Sequence, residues 1–137
     1  MSDASDSMSI SAAGLRAQAA RMRIISENIA NADSTAREPG GDPYRRQIPI
    51  FEQELDRATG LNAVRMSDVA YDRTDFTLEF DPGHPAADEA GYVRTSNVET
   101  LVEMMDMREA MRSYEANLNM IENSRRMQER TLDLLRR

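Results

Sequence analysis

The sequence predicts an α+β chain, mainly α with a small β insert, in which N- and C-terminal helices form an antiparallel coiled-coil-like pair around a short β-rich segment. Apolar residues recur in alternating steps of four and three at both ends, the repeat of a helix stripe, and at period two in the middle, the repeat of a strand face. Gly and Pro punctuate the middle and are absent from Asn97 to Arg137.

At the N-terminal end, Met8, Ala12, Leu15, Ala19, Met22, Ser26 and Ile29 fall on one stripe. A helix is predicted from about residue 9 to about residue 31, with Ser7 or Ser9 as its capping oxygen. The polar run Asn28, Asn31, Asp33, Ser34, followed by Pro39-Gly40-Gly41, should stop it. At the other end, Ser96 and Glu99 are spaced as a capping box, and the seam behind them reads Met104, Met107, Met111, Tyr114, Leu118, Ile121, Arg125, Gln128, Leu132, Leu135. Such a helix would be about 60 Å long. Glu99, Glu103 and Asp106 near its start and Arg136 and Arg137 at its end suit the helix dipole, and Glu122–Arg126 and Asp133–Arg137 are spaced as ion pairs along its surface.

The expected organisation is therefore a flexible N-terminus at residues 1–8, terminal helices at 9–35 and 96–137 forming one helical domain, and a loop with a β-rich insert at 36–95. Within the insert, Ile48 and Ile50, Val64 and Met66, and Phe76, Leu78 and Phe80 alternate with polar residues and read as short strands. Gly60, Asp81-Pro82-Gly83-His84-Pro85 and Gly91 separate them.

Bulk composition narrows the function. A net charge of −7 opposes phosphate contacts, so nucleic acid is not an expected partner. No apolar run approaches the ~18 residues of a membrane span, so no direct membrane insertion is expected. The acidic start, Met1-Ser2-Asp3, lacks the basic and apolar stretches of a secretory signal. With 40% hydrophobic residues, no Trp and three Phe, the core is modest, and partners are expected to supply burial that the chain itself lacks.

Catalytic signals are weak. His84 is the only His and sits between Gly83 and Pro85, where a turn residue is expected. Asp72, Asp75, Glu79, Asp81 and Asp88 form an acidic stretch without the Gly and terminal Glu of a calcium loop, and read as solvated turns. A metal-binding regulator built on that stretch would require a calcium-dependent stability shift. Gly40-Gly41 carries no phosphate-loop pattern. No catalytic residue, metal, cofactor or small-molecule substrate is expected, and the chain is read as an assembly subunit.

The run Ser26-Glu27-Asn28-Ile29-Ala30-Asn31-Ala32-Asp33-Ser34-Thr35 closely resembles the N-terminal signature of the flagellar basal-body rod family. Pro43-Tyr44-Arg45-Arg46-Gln47 to Phe51, Asp81 to Asp88, Gly91-Tyr92-Val93, Asn97-Val98, Glu103-Met104-Met105 and Arg112 to Asn117 narrow the match within that family. Ser96 stands where the family usually has Pro, and the segment from Asp72 to Phe80 is slightly short. The resemblance implies a subunit of a periplasm-spanning rod, exported unfolded through the flagellar type III apparatus. Its implied partners are copies of itself, other rod proteins and the junction with the inner-membrane ring and export gate.

The expected assembly interface combines Leu15, Met22 and Ile29 with Met111, Tyr114, Leu118, Ile121, Leu132 and Leu135. Asn28, Asn31 and Asn117 are expected to set register, because a buried Asn left unpaired penalises a slipped alignment. The alternative reading is a small acidic type III secretion chaperone or adaptor, which would be folded and dimeric alone.

Overall fold

The structure, a computed structural model, describes residues 2–137. Its elements are α1 (Ser2–Ala30), β1 (Gln47–Asp56), β2 (Leu61–Tyr71), β3 (Thr77–Phe80), β4 (Tyr92–Thr95) and α2 (Thr100–Leu135). Two terminal helices flank two two-stranded sheets, β1-β2 and β3-β4, so the fold class is the expected α+β.

The helix ends differ in detail from the sequence reading. α1 begins at Ser2, ahead of the Ser7 or Ser9 cap, and Ser2 Oγ hydrogen-bonds Asp6 Oδ2 at 3.3 Å. It closes where the Asn-rich run was expected to stop it, with the Asn31 N–H shared between the carbonyls of Glu27 and Asn28. The Ser96–Glu99 capping box does not form. Ser96 Oγ accepts instead from the Val98 N–H at 3.3 Å, and the Glu99 carbonyl takes the first helical bond, from the Glu103 N–H, at 3.0 Å. Glu122–Arg126 pairs at 3.5 Å as its spacing predicts. Asp133–Arg137 is not among the ion pairs of the described residues, because α2 ends at Leu135.

The chain divides into two compact units. The first comprises residues 2–22, Ile50–Asp68 and Arg108–Arg137. Here the N-terminal part of α1 runs antiparallel to the C-terminal part of α2, since Ser7 meets Ser124 and Gly14 meets Asn117. Ala13 and Ala17 are buried on the side of α1 nearest the β1-β2 hairpin. That hairpin turns through Gly60, whose φ of 73° needs no Cβ clash, with the Asp56 side chain accepting from the Ala58 N–H at 2.8 Å. Strands β1 and β2 are 10 and 11 residues long, longer than the short strands expected.

The second unit comprises Arg23–Pro49 and Val69–Met107. Its apolar core is small, made of Ala36, Ala86 and Val93 with Ala87 against them. Strand β4, unforeseen as a strand, pairs antiparallel with β3 in the register Thr77↔Thr95 to Phe80↔Tyr92 and is bridged on its other edge by Thr35. Gly91 has φ of 85°, and a Cβ there would lie 2.9 Å from the Phe80 ring, so both backbone conformation and space demand glycine.

The acidic residues of the insert act as turn caps and ion-pair partners. Asp88 Oδ1 accepts from the N–H groups of Ala90 and Tyr92, both at 2.9 Å, and Asp72 Oδ1 accepts from the Thr74 N–H at 2.9 Å. His84 lies in the expected turn. Its Nδ1 accepts from the Ala86 N–H at 3.0 Å, which leaves the proton on Nε2, 3.2 Å from Thr35 Oγ1.

Candidate functional site

In the first unit the two helices meet along small and polar side chains. On α1 the inward stripe is Ser7, Ser11, Gly14, Gln18 and Arg21, and on α2 it is Ala110, Asn117 and Ser124, each a heptad apart. Ser7 and Ser124 hydroxyls lie 3.4 Å apart, and Arg21 reaches Glu109 at 3.6 Å. Gly14 permits the closest approach: a Cβ there would stand 2.8 Å from both terminal atoms of Asn117. Small residues bring the helix axes together and leave little room for large knobs between them.

The expected stripe divides between this seam and its flank. The positions Tyr114, Ile121 and Gln128 are half-buried beside the small stripe, as heptad partners of it. The other half of the predicted apolar stripe, Met111, Leu118 and Leu132, lies one residue round the helix and remains 40–48% exposed, and Leu135 is 74% exposed. One residue is about 100° of rotation on a helix, enough to move a side chain from the seam to its flank. On α1 the predicted Leu15 and Met22 are likewise displaced by one position from Gly14 and Arg21, and both are half-buried.

These displaced residues form one face. Leu15 and Met22 follow their seam residues by one position, and so do Met111 and Leu118. In an antiparallel pair the helices rotate in opposite senses when viewed from one end, so a step of one residue C-terminal of the seam leads to the same side on both. The hairpin lies on the other side, against Ala13 and Ala17, which precede the seam residues Gly14 and Gln18 by one.

In the second unit the signature asparagine occupies a charged, buried network. Asn28 is 1% exposed and makes four hydrogen bonds. Its Nδ2 donates to the Gln47 carbonyl at 2.9 Å and to Glu103 Oε2 at 3.2 Å, while its Oδ1 accepts from the Gln47 N–H at 2.9 Å and the Tyr44 hydroxyl at 2.8 Å. Glu103, also fully buried, takes its other partner from Arg46 Nε. Arg46 further reaches Asp72 at 3.4 Å and Asp106 at 3.6 Å. Its backbone N–H donates to Asn97 Oδ1 at 2.7 Å. The chemical effect is full satisfaction of a buried carboxylate, without which its desolvation would be costly.

The electrostatics follow from these contacts. Burial acts to lower the Arg46 pKa, but the hydrogen bonds and charges of Glu103 and Asp72 outweigh it and raise the value above that of a free guanidinium. The Thr74 N–H, opposed by burial and aided by Arg46, holds Asp72 below the ordinary carboxylate range. Burial pushes the Tyr44 phenol up, assisted by Glu27 and Glu103. Asn31, the other asparagine of the signature, is exposed and donates to the Glu27 carbonyl at 2.8 Å, closing the last turn of α1. Ile29 is half-buried.

Sequence reasoning missed Gly14, Arg46, the seam role of Ser11 and Ser124, and the burial of Glu103 against Asn28 and Arg46. A heptad of small residues, Ser7-Ser11-Gly14, was the available signal, but a search for apolar stripes passes over it. Among the described residues no group of three His, Cys, Asp or Glu is placed to hold a metal ion, and no helix is long and apolar enough to cross a membrane.

The sequences of both terminal segments match known proteins. Residues 8–37 match the family model for flagella basal body rod protein, and residues 89–134 match that for the flagellar basal body rod FlgEFG protein C-terminal. The class is therefore a flagellar rod protein, built on its two terminal segments. The flagellar basal-body rod protein FlgC of Agrobacterium fabrum is 51% identical over 127 residues, covering 93% of this chain and 91% of that protein. FlgC of Aquifex aeolicus is 38% identical, with 97% and 98% covered, and FlgC of Bacillus subtilis is 34% identical, with 93% and 95% covered. The chain belongs to the FlgC family of flagellar basal-body rod proteins. It is a structural subunit of that rod, and none of these matches favours the chaperone alternative.

Proposed function

We propose that the chain joins the rod by laying the apolar face of its helix pair, centred on Leu15, Met22, Met111 and Leu118, against neighbouring subunits. The carrying observation is that these side chains stay partly or largely exposed beside a seam already filled by small and polar residues. An apolar stripe left at the surface of a helix pair is the feature that association buries, at roughly 25 cal/mol per Å² of apolar area. Leu132 continues it toward the end of α2, Leu135 extends the series of Tyr114 and Ile121 beside it, and Asn117 supports it from the seam. Asn28 and Asn31 fix the end of α1 from which the face is presented.

The neighbours are copies of this chain, other rod proteins and, at the base, the junction of inner-membrane ring and export gate. The chain travels unfolded through the type III apparatus, and the polar residues 2–8 order last, as the terminal helices of one rod-core domain come together beside the 36–95 insert. Rotation is then transmitted passively across the periplasm by packed helices, with no bond made or broken.

Leu118→Asp tests this reading. The variant is expected to keep its circular dichroism and melting temperature, since Leu118 lies outside the seam, and to yield cells without assembled rods. Normal rods in that variant would refute it.

A further inference from the structure

On the side of α1 away from the apolar face, the first unit carries a groove of about 770 Å³. Ala13, Ala17 and Ala20 form its floor, spaced so that they share one side of the helix, and Leu55, Val64 and Met66 of the hairpin form its wall. It continues toward the N-terminus, past Ser9 and Ile10, for about three turns of α1 in all. Alanine floors and large knobs are complementary in helix packing, because a floor without γ-atoms lets a second helix seat its Met or Leu side chains close to the axis. The same chain exposes such knobs: Met111 and Leu118, a heptad apart on α2.

Charge agrees with shape. The groove rim carries Arg16 and Arg57, neither in an ion pair among the described residues, beside Asp56, while Arg65 is already held by Glu54, so three arginines face two acids there. On α2, Glu115 lies between Met111 and Leu118 on the knob face, exposed and likewise without an ion pair among the described residues. A helix carrying an acid between two apolar knobs suits an alanine groove on whose rim arginines outnumber acids.

We infer that the groove between α1 and the β1-β2 hairpin receives the Met111–Leu118 face of α2 from a second copy of this chain. This rests on the assembly reading above and supplies the receiving side of that contact. Donor and acceptor lie on nearly opposite sides of the unit, so each copy offers one of each. The contact is heterologous and leaves both ends of any pair open for another copy, which is the geometry of a growing assembly instead of a closed dimer.

The chain contains no Cys, so single cysteines report cleanly. Val64→Cys, on the exposed groove wall, and Leu118→Cys, on the knob face, would be purified as full chains, checked for native circular dichroism, mixed and treated with a short bismaleimide. The expected product is a Val64→Cys/Leu118→Cys linked pair in excess over either self-linked species. Self-linking of Leu118→Cys alone would show a symmetric contact and overturn the inference. A chain that sediments as a polymer without the mixed product would also overturn the groove while leaving the assembly reading intact. A chain that stays monomeric at every concentration would remove the second copy as occupant. As an independent check, Glu115→Arg should lower the mixed product about fivefold, and Arg57→Glu on the acceptor should restore it. No loss, or loss without restoration, would count against the pairing.

Discussion

Two neighbouring stripes of α2 have opposite fates. Ala110, Asn117 and Ser124 are small or polar and face the interior of the first unit, whereas Met111 and Leu118, which directly follow Ala110 and Asn117, face outward from it. In a self-sufficient domain the larger apolar stripe would be inside, because it offers more burial. The inversion means that the chain satisfies its own helix pairing through close approach and hydrogen bonds, and leaves its larger apolar side chains exposed. The second unit goes further: its helix end is held by a buried ion pair and a four-bonded asparagine beside a core of small apolar residues.

That contrast can be broken most severely at the ion pair. Arg46→Ala leaves the Glu103 carboxylate buried without its cation, and should cost about 3 kcal/mol in chemical denaturation. Replacing Glu103 by Leu in the same chain should recover much of the loss, as removing both charges avoids the unpaired one. Next in size, Ile121→Asp should cost roughly 2 kcal/mol of monomer stability by placing a charge beside the seam. Leu118→Asp, three residues away, should change stability by no more than about 0.5 kcal/mol while abolishing assembly. If the two variants behaved alike, the distinction between inner and outer stripes would fail.

Gly14→Ala sharpens it further. The added Cβ meets Asn117, so a loss of about 1–2 kcal/mol is expected, and Asn117→Ala should relieve most of it in a double-mutant cycle. The smallest effect concerns Gln18, whose Oε1 is buried in the seam with no hydrogen-bond partner among the described residues. Gln18→Met should raise stability by about 1 kcal/mol, seen as a modest increase in melting temperature.

The fold class was legible because periodicity reports secondary structure without knowing what covers it: the stripes at Met8–Ile29 and Met104–Leu135 announced helices, and the Ile48, Val64 and Leu78 alternations announced strands. Which side of each helix faces its partner was not legible in the same way. Apolar periodicity marks surface that will be buried somewhere, and in a subunit some of that burial lies outside the chain. Gly14 and Ser11 carry no hydropathy signal, and their role emerges only when Asn117 and Ser124 stand opposite them. Glu103 was read as an acid suiting the helix dipole, yet it is buried on Arg46, because nothing in local spacing shows that Arg46 arrives from 57 positions away. Strand β4 escaped notice since its two apolar residues, Tyr92 and Val93, are adjacent and give no period-two alternation.

The pairing of Asn28 with Gln47 has a mechanical consequence. One amide offers the first residue of β1 both the donor and the acceptor that an adjoining strand would provide, so the last turn of a helix is spliced onto the beginning of a sheet. A pull along β1 then enters α1 through two hydrogen bonds loaded together, and the loop from Asn31 to Arg46 is bypassed as a path for strain. Only an asparagine has both groups at that reach; aspartate would turn its donor into a second acceptor facing the Gln47 carbonyl, and the splice would give way under load.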